Sequence, residues 1–154
     1  AYAIVEAMKL EAMDAPLPAT ILATPTLSPE QKPVIMVVDD SINVRRFLAL
    51  TLEKSGYRVQ QAKDGQEAME KLQDGLAIAG VICDIEMPRL DGYGFLAQVR
   101  AQQRFRSLPI MMLTSRSGDK HRQMAFSLGA SAYFSKPFQE QELLQTLKSF
   151  LDLP

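Results

Sequence analysis

From Val34 onward one pattern repeats five times: a short strand-like segment, apolar in all but the second, a polar residue at its end, then a segment with helical periodicity. The first run, Val34-Ile35-Met36-Val37-Val38, is apolar without a break and ends in two acids. Such a run suits a parallel strand covered on both faces. Ser41 can cap the helix that follows, with Val44, Phe47, Leu48, Thr51 and Leu52 sharing a face and Gly56 stopping it. Residues 57–62 read as a second strand, and Asp64-Gly65-Gln66-Glu67 as a variant capping box opening a second helix. Residues 79–83 form a third strand, ending in Asp84; Asp91-Gly92 turns into a helix carrying Phe95, Leu96 and Val99. Residues 109–113 form a fourth strand, ending in Thr114-Ser115, with a helix running on to Gly129. Residues 132–135 form a fifth, ending in Lys136-Pro137, before a helix with Leu143, Leu144, Leu147 and Leu151 on one face. Alternating elements with short connections predict an α/β fold: a doubly wound (βα)5 parallel sheet with right-handed crossovers and helices on both sides.

The alternation leaves out the front of the chain. Five of the nine prolines lie in the first 33 residues, and no glycine precedes Gly56. Residues 1–15 read as one helix, with Ile4, Val5, Met8, Ala12 and Ala15 near a 3.6-residue period. Residues 16–33 read as an extended, proline-stiffened linker. The expected division is therefore an N-terminal helix and connector over 1–32 and a compact domain over 33–154. The chain opens Ala-Tyr-Ala and not with Met, from which we expect a piece of a longer protein. The formal net charge of -1 argues against a bulk electrostatic grip on nucleic acid or on an anionic membrane. One cysteine cannot form an internal disulfide, so a reducing, cytoplasmic setting is expected. No uncharged run is both long enough and free of proline to span a bilayer.

In an open parallel sheet, ligands lie beyond the carboxyl ends of the strands. Those ends carry Asp39 and Asp40 (strand one), Asp84 (strand three), Thr114 (strand four) and Lys136 (strand five). Any one of them alone reads as a solvated cap. Five chemically matched groups at one sheet edge read as a site. Three close carboxylates repel unless a cation is present, and all-oxygen ligation favours Mg²⁺. A hydroxyl, an ammonium and Mg²⁺ together can bind phosphoryl oxygens. A carboxylate among them can act as nucleophile and form an acyl phosphate, and Asp84, at the end of the middle strand, is best placed to do so.

These residues carry a resemblance. Val37-Val38-Asp39-Asp40-Ser41, Cys83-Asp84-Ile85-Glu86-Met87-Pro88 with Asp91-Gly92, Leu113-Thr114-Ser115 and Lys136-Pro137-Phe138 together resemble a response-regulator receiver domain of the CheY type, over residues 33–151. The resemblance implies a flavodoxin-like fold with strand order 2-1-3-4-5. It implies Asp84 as phosphoacceptor, Asp40 as direct Mg²⁺ ligand with Asp39 assisting, and Glu86 lending its backbone carbonyl to the metal. Thr114 would swing onto the phosphoryl group, Lys136 would contact it, and Lys136-Pro137 would be cis. Tyr133 matches an aromatic switch that turns inward as Thr114 moves, repacking the face of helix four, strand five and helix five. Glu86 and Arg116, two residues past Asp84 and Thr114, would tune the lifetime of the acyl phosphate. The implied donor is a histidine kinase or histidine phosphotransfer domain, and the switched face could meet an effector or a second copy. The run from Leu113 to Met124 with Leu128-Gly129-Ala130 resembles receivers at the C-terminus of chemotaxis-type (CheA-like) hybrid histidine kinases, with a stand-alone regulator as the alternative. An aspartyl-phosphate phosphatase of the haloacid-dehalogenase type fits less well: it wants Asp-x-Asp after its first strand, and here Asp84-Ile85-Glu86 follows the third.

The remaining signals take plainer readings. Cys83 is expected to be a buried strand residue and His121 a solvated one, neither of them a nucleophile or phosphodonor. Met111, Met112, Leu143 and Leu147 read as core. Arg45 and Arg46 read as surface charges, and Arg100, Arg104 and Arg106 as a solvated basic face.

Overall fold

The computed structural model describes residues 31–151 apart from 76 and 117. The helix expected over 1–15, and nearly all of the connector, lie outside the described residues.

Five strands, β1 (Val34–Val38), β2 (Arg58–Ala62), β3 (Gly80–Asp84), β4 (Ile110–Thr114) and β5 (Ala132–Ser135), form one sheet in the order β2-β1-β3-β4-β5. All pairings are parallel. Five helices connect and follow them: α1 (Ile42–Lys54), α2 (Gly65–Gln73), α3 (Gly92–Arg100), α4 (Asp119–Ser127) and α5 (Glu140–Leu151). This is the expected flavodoxin-like arrangement. Strand ends differ from the expected ones by a residue, as boundaries commonly do.

The unbroken apolar runs have a simple cause. Every residue of β1, β3 and β4 is buried. Ile35, Val37, Ile82, Met111 and Leu113 pack with Leu48 and Leu52 of α1 and Leu143 and Leu147 of α5. The alternate residues, Met36, Val38, Val81, Cys83, Ile110 and Met112, pack with Ala68 and Leu72 of α2, Phe95, Leu96 and Val99 of α3, and Ala125 of α4. Each face thus has its own core, and each fully buried large aliphatic side chain contributes roughly 1.5–3 kcal/mol. The edge strands β2 and β5 are only partly covered and carry polar residues.

The caps follow the sequence. Ser41 Oγ accepts the Val44 N–H at 3.3 Å, and Asp91 Oδ1 accepts the Gly94 N–H at 2.9 Å. Asp64 Oδ1 accepts the Glu67 N–H at 2.9 Å. In a standard capping box the glutamate would return to the N–H of the cap residue; here Glu67 takes the N–H of Lys63, one residue earlier, at 2.7 Å.

Two surface expectations are corrected. Arg100 is not part of a solvated face: its guanidinium lies half-buried and donates to the carbonyls of Gly129 at 2.9 Å and Phe105 at 2.6 Å. Burial holds that guanidinium below its usual pKa range. Arg104 and Arg106 are exposed, as expected. Arg45 is likewise half-buried, with Nη1 on the Asp39 carbonyl at 2.6 Å and Nε on Gln61 Oε1 at 3.2 Å. In both cases a forked donor satisfies main-chain oxygens at element ends, which no local pattern signals. Phe47 also departs from expectation. It lies about 100° from the centre of the buried face of α1, is 47 % exposed, and meets Phe138 edge-on at 6.4 Å. His121 is half-buried, and its carbonyl accepts the Tyr93 hydroxyl at 3.3 Å.

Candidate functional site

Sheet register assembles the site. Val38 lies opposite Cys83 in the β1–β3 pair, so the residues that follow, Asp39 and Asp84, end level with each other. Asp84 pairs with Leu113, which sets Thr114 one step further out, and Thr114 pairs with Ser135, which leads into Lys136. The carboxylates of Asp39, Asp40 and Asp84 each place an oxygen within 4.8 Å of the others. Asp39 and Asp84 are buried and Asp40 is exposed, so the cluster runs from the sheet edge to the surface.

Each buried carboxylate is held by main chain. Asp39 Oδ1 accepts the Ser41 N–H at 2.8 Å, and Asp84 Oδ1 accepts the Ile85 N–H at 2.9 Å. Lys136 Nζ lies 3.2 Å from Asp39 Oδ2 and 3.7 Å from Asp84 Oδ1. The Lys136-Pro137 peptide is cis, as the resemblance implied. One ammonium against three carboxylates leaves the cluster with excess negative charge. Burial, and then the Asp39 charge, push the Asp84 carboxyl up to about 6 despite Lys136. A hard, all-oxygen donor set with uncompensated charge fits a Mg²⁺ ion.

Thr114 is fully buried, and its Oγ1 accepts the Arg116 N–H at 3.0 Å. The Arg116 carbonyl in turn accepts the Tyr133 hydroxyl at 2.8 Å. Tyr133 is only 7 % exposed, so its ring is already turned inward in this structure. Burial pushes its phenol up. Arg116 Nε also pairs with Glu86 Oε2 at 3.0 Å, while Glu86 Oε1 accepts the Ser115 hydroxyl. These two hydrogen bonds, Ser115 first, hold the Glu86 carboxyl below its usual range. The candidate site residues Asp39, Asp40, Asp84, Glu86, Thr114, Arg116, Tyr133 and Lys136 therefore lie at this sheet edge or one contact from it. An open pocket of about 360 Å³ bounded by Asp40, Ile85, Glu86, Met87, Pro88, Asp91 and Arg116 lies on the Asp40 side of the cluster.

Some neighbours were not foreseen. The direct pairing of Glu86 with Arg116 could have been suspected from their matched offsets, but the contact of Ser115 with Glu86 and the Asp64–Arg89 pair, at 2.7 Å, gave no signal. Cys83 is buried, as expected, with Sγ 3.1 Å from the Asp84 carbonyl, and burial pushes its thiol well up. Among the described residues, no helix is long and apolar enough to cross a membrane.

Comparison with known proteins agrees with the geometry. The response regulator receiver domain family matches residues 35–148. Response regulator Rre1 of Synechocystis is 40 % identical over 118 residues, covering 76 % of this chain and 51 % of the relative. Sensor histidine kinase CheAY of Helicobacter pylori is 31 % identical over 121 residues, 78 % of this chain and 15 % of that kinase. The chain thus spans about half the length of the first relative and a small part of the second. Among solved structures, the chemotaxis response regulator CheY4 of Vibrio cholerae superposes with a TM-score of 0.73 at 36 % identity, covering 79 % of this chain and all of that one.

Proposed function

Because the chain belongs to the response regulator receiver domain family, we propose that it accepts a phosphoryl group on Asp84 from the phosphohistidine of a histidine kinase or histidine phosphotransfer domain. The observation that supports this most is the buried Asp84 carboxylate, at the end of the central strand, with Asp39, Asp40 and Lys136 converging on it. In the transfer, an Asp84 carboxylate oxygen attacks phosphorus, the P–N bond of the donor breaks, and the imidazole takes up a proton as it leaves. Receiver domains of this family bind Mg²⁺ at an acidic pocket; here Asp39, Asp40, Asp84 and the Glu86 carbonyl would hold it. When bound, the ion neutralises charge building on the phosphoryl oxygens.

Lys136 reaches Asp84 and supplies a cation for one phosphoryl oxygen. The Thr114 hydroxyl rotates from its present bond with the Arg116 N–H to donate to another. That movement alters the chain of bonds from Thr114 through the Arg116 main chain to Tyr133, and so biases the packing of the face made by α4, β5 and α5. Moving such a face from mostly one state to mostly the other takes about 5.5 kcal/mol of differential stabilisation in the limiting case. An effector, or a second copy of the chain, would read it. Glu86 and Arg116 flank the approach to Asp84 and set the lifetime of the acyl phosphate.

Beryllofluoride with Mg²⁺, or acetyl phosphate, tests the reading. Binding or a phosphoryl mass increase is expected, and is lost in Asp84→Asn; no response from the unmodified chain sinks the proposal. We place this chain within a longer CheA-like hybrid kinase, residues 1–32 being the tail of its connector. The likeness to CheAY is compatible with this reading, and a stand-alone regulator is the alternative. A start codon immediately before Ala1 in the source gene would defeat it.

A further inference from the structure

The loop between β3 and α3 carries an unusual residue. Arg89, at φ 65°, is the one non-glycine with positive φ among the described residues. Glycine or asparagine adopts that left-handed backbone at lower cost, so an arginine there needs something to hold it. The side chain shows what does. Its Nη2 lies 2.7 Å, and its Nε 2.8 Å, from Asp64 Oδ2. Asp64 is buried, with its other oxygen fixed by the Glu67 N–H as the cap of α2. Burial alone would raise the Asp64 carboxyl, and the Glu67 amide and Arg89 outweigh it, so it titrates below the usual range and stays ionised.

Main chain meets main chain next to this pair. The Gly65 N–H donates to the Leu90 carbonyl at 3.0 Å, and a Cβ on Gly65 would come within 2.6 Å of that oxygen. At its other end the same loop is tied to the site. The Ile85 N–H rests on Asp84 Oδ1, the Gly92 N–H donates to the Ile85 carbonyl at 2.8 Å, and Glu86 reaches across to Ser115 and Arg116. The loop is thus suspended between the acidic cluster and the first turn of α2. The Arg89–Asp64 pair is its anchor at the far end.

We propose that Arg89 and Asp64 are positioning residues for cation binding: their ion pair holds the β3–α3 loop so that its main chain at Glu86 faces the Asp39, Asp40 and Asp84 carboxylates. This rests on the reading that the cluster binds Mg²⁺. It also predicts a separation that an ion pair serving stability alone would not produce. Arg89→Asn and Arg89→Gly remove the anchor while relieving the left-handed backbone, so folding is preserved while cation binding weakens. Supporting partners outside the ligand set typically account for tenfold or more in metal affinity.

The experiment is calorimetric titration of the full chain with MgCl₂, alongside urea unfolding without the cation. In Arg89→Asn and Arg89→Gly the Mg²⁺ dissociation constant should rise about tenfold, with the unfolding midpoint close to that of the unmodified chain. Asp64→Asn, which keeps an acceptor for the Glu67 N–H, should weaken Mg²⁺ binding in the same direction. Dissociation constants within twofold of the unmodified chain in both Arg89 variants overturn the inference, whatever their stability. If the unmodified chain itself takes up no Mg²⁺, it is the reading of the acidic cluster that has failed, and the role of the anchor falls with it.

Discussion

Replacing Asp84 with asparagine should make the cation-free protein more stable, and only at pH values where the aspartate is charged. Folding raises the titration of this carboxyl from 3.8 to about 6, through burial first and the Asp39 charge second. The folded state therefore binds the proton more tightly than the unfolded chain does. Stability is unaffected well below 3.8, falls as pH rises between the two values, and bears the whole penalty above about 6. At about 1.4 kcal/mol per pH unit, the full penalty is about 3 kcal/mol, and at pH 4 it is about 0.5 kcal/mol. Asparagine is neutral like the protonated acid, can still accept the Ile85 N–H, and leaves Lys136 with Asp39 at 3.2 Å. Urea unfolding in EDTA should then give Asp84→Asn a gain of about 3 kcal/mol at pH 8, shrinking to about 0.5 kcal/mol at pH 4. Other carboxyls titrate in both proteins, so the difference isolates this one. An equal gain at both pH values would mean that asparagine merely packs better. A loss at pH 8 would show that Lys136 more than offsets burial and Asp39, and the electrostatic account of the site would be wrong.

Adding Mg²⁺ at pH 8 should narrow that difference: at a hundredfold over its dissociation constant the unmodified chain gains about 2.7 kcal/mol, and Asp84→Asn gains less in the same melts. Gly92→Ala should destabilise by about 1–3 kcal/mol, since a Cβ there would come within 2.4 Å of the Asp84 carbonyl oxygen and 2.7 Å of Ile85 Cα; an unchanged circular-dichroism melt would contradict it. Tyr133→Phe removes the donor to the Arg116 carbonyl and should cost about 0.5–1.5 kcal/mol in urea unfolding. Glu86→Gln should change unfolding by less than about 1 kcal/mol, because its pair with Arg116 is exposed, yet alter the decay of phosphorylated protein followed by mass spectrometry; an unaltered decay removes Glu86 from the control of lifetime.

The residues that the sequence placed correctly share a property: their position follows from strand order and register alone. Once β1, β3, β4 and β5 are parallel neighbours, Asp39, Asp84, Thr114 and Lys136 must gather at one edge, whatever the helices do. Misreadings came where a long side chain leaves its own element. Arg100, read as part of a charged surface, spans 29 positions to the Gly129 carbonyl, and Arg45, read as a surface charge, spans 16 to Gln61. A guanidinium can satisfy carbonyls and carboxylates on either side of it, and neither its periodicity nor its neighbours reveal which. The two kinds of contact also act differently. Register brings like charges together at the cost that Asp84 shows, whereas the arginines tie down connections, Arg89 in the β3–α3 loop and Arg100 at the approach to β5, at the opposite end of the strands from the acidic cluster. A change at Arg89 should therefore be felt as altered geometry at an intact acidic cluster, whereas a change at Asp39, Asp84 or Lys136 alters the charge of the cluster itself.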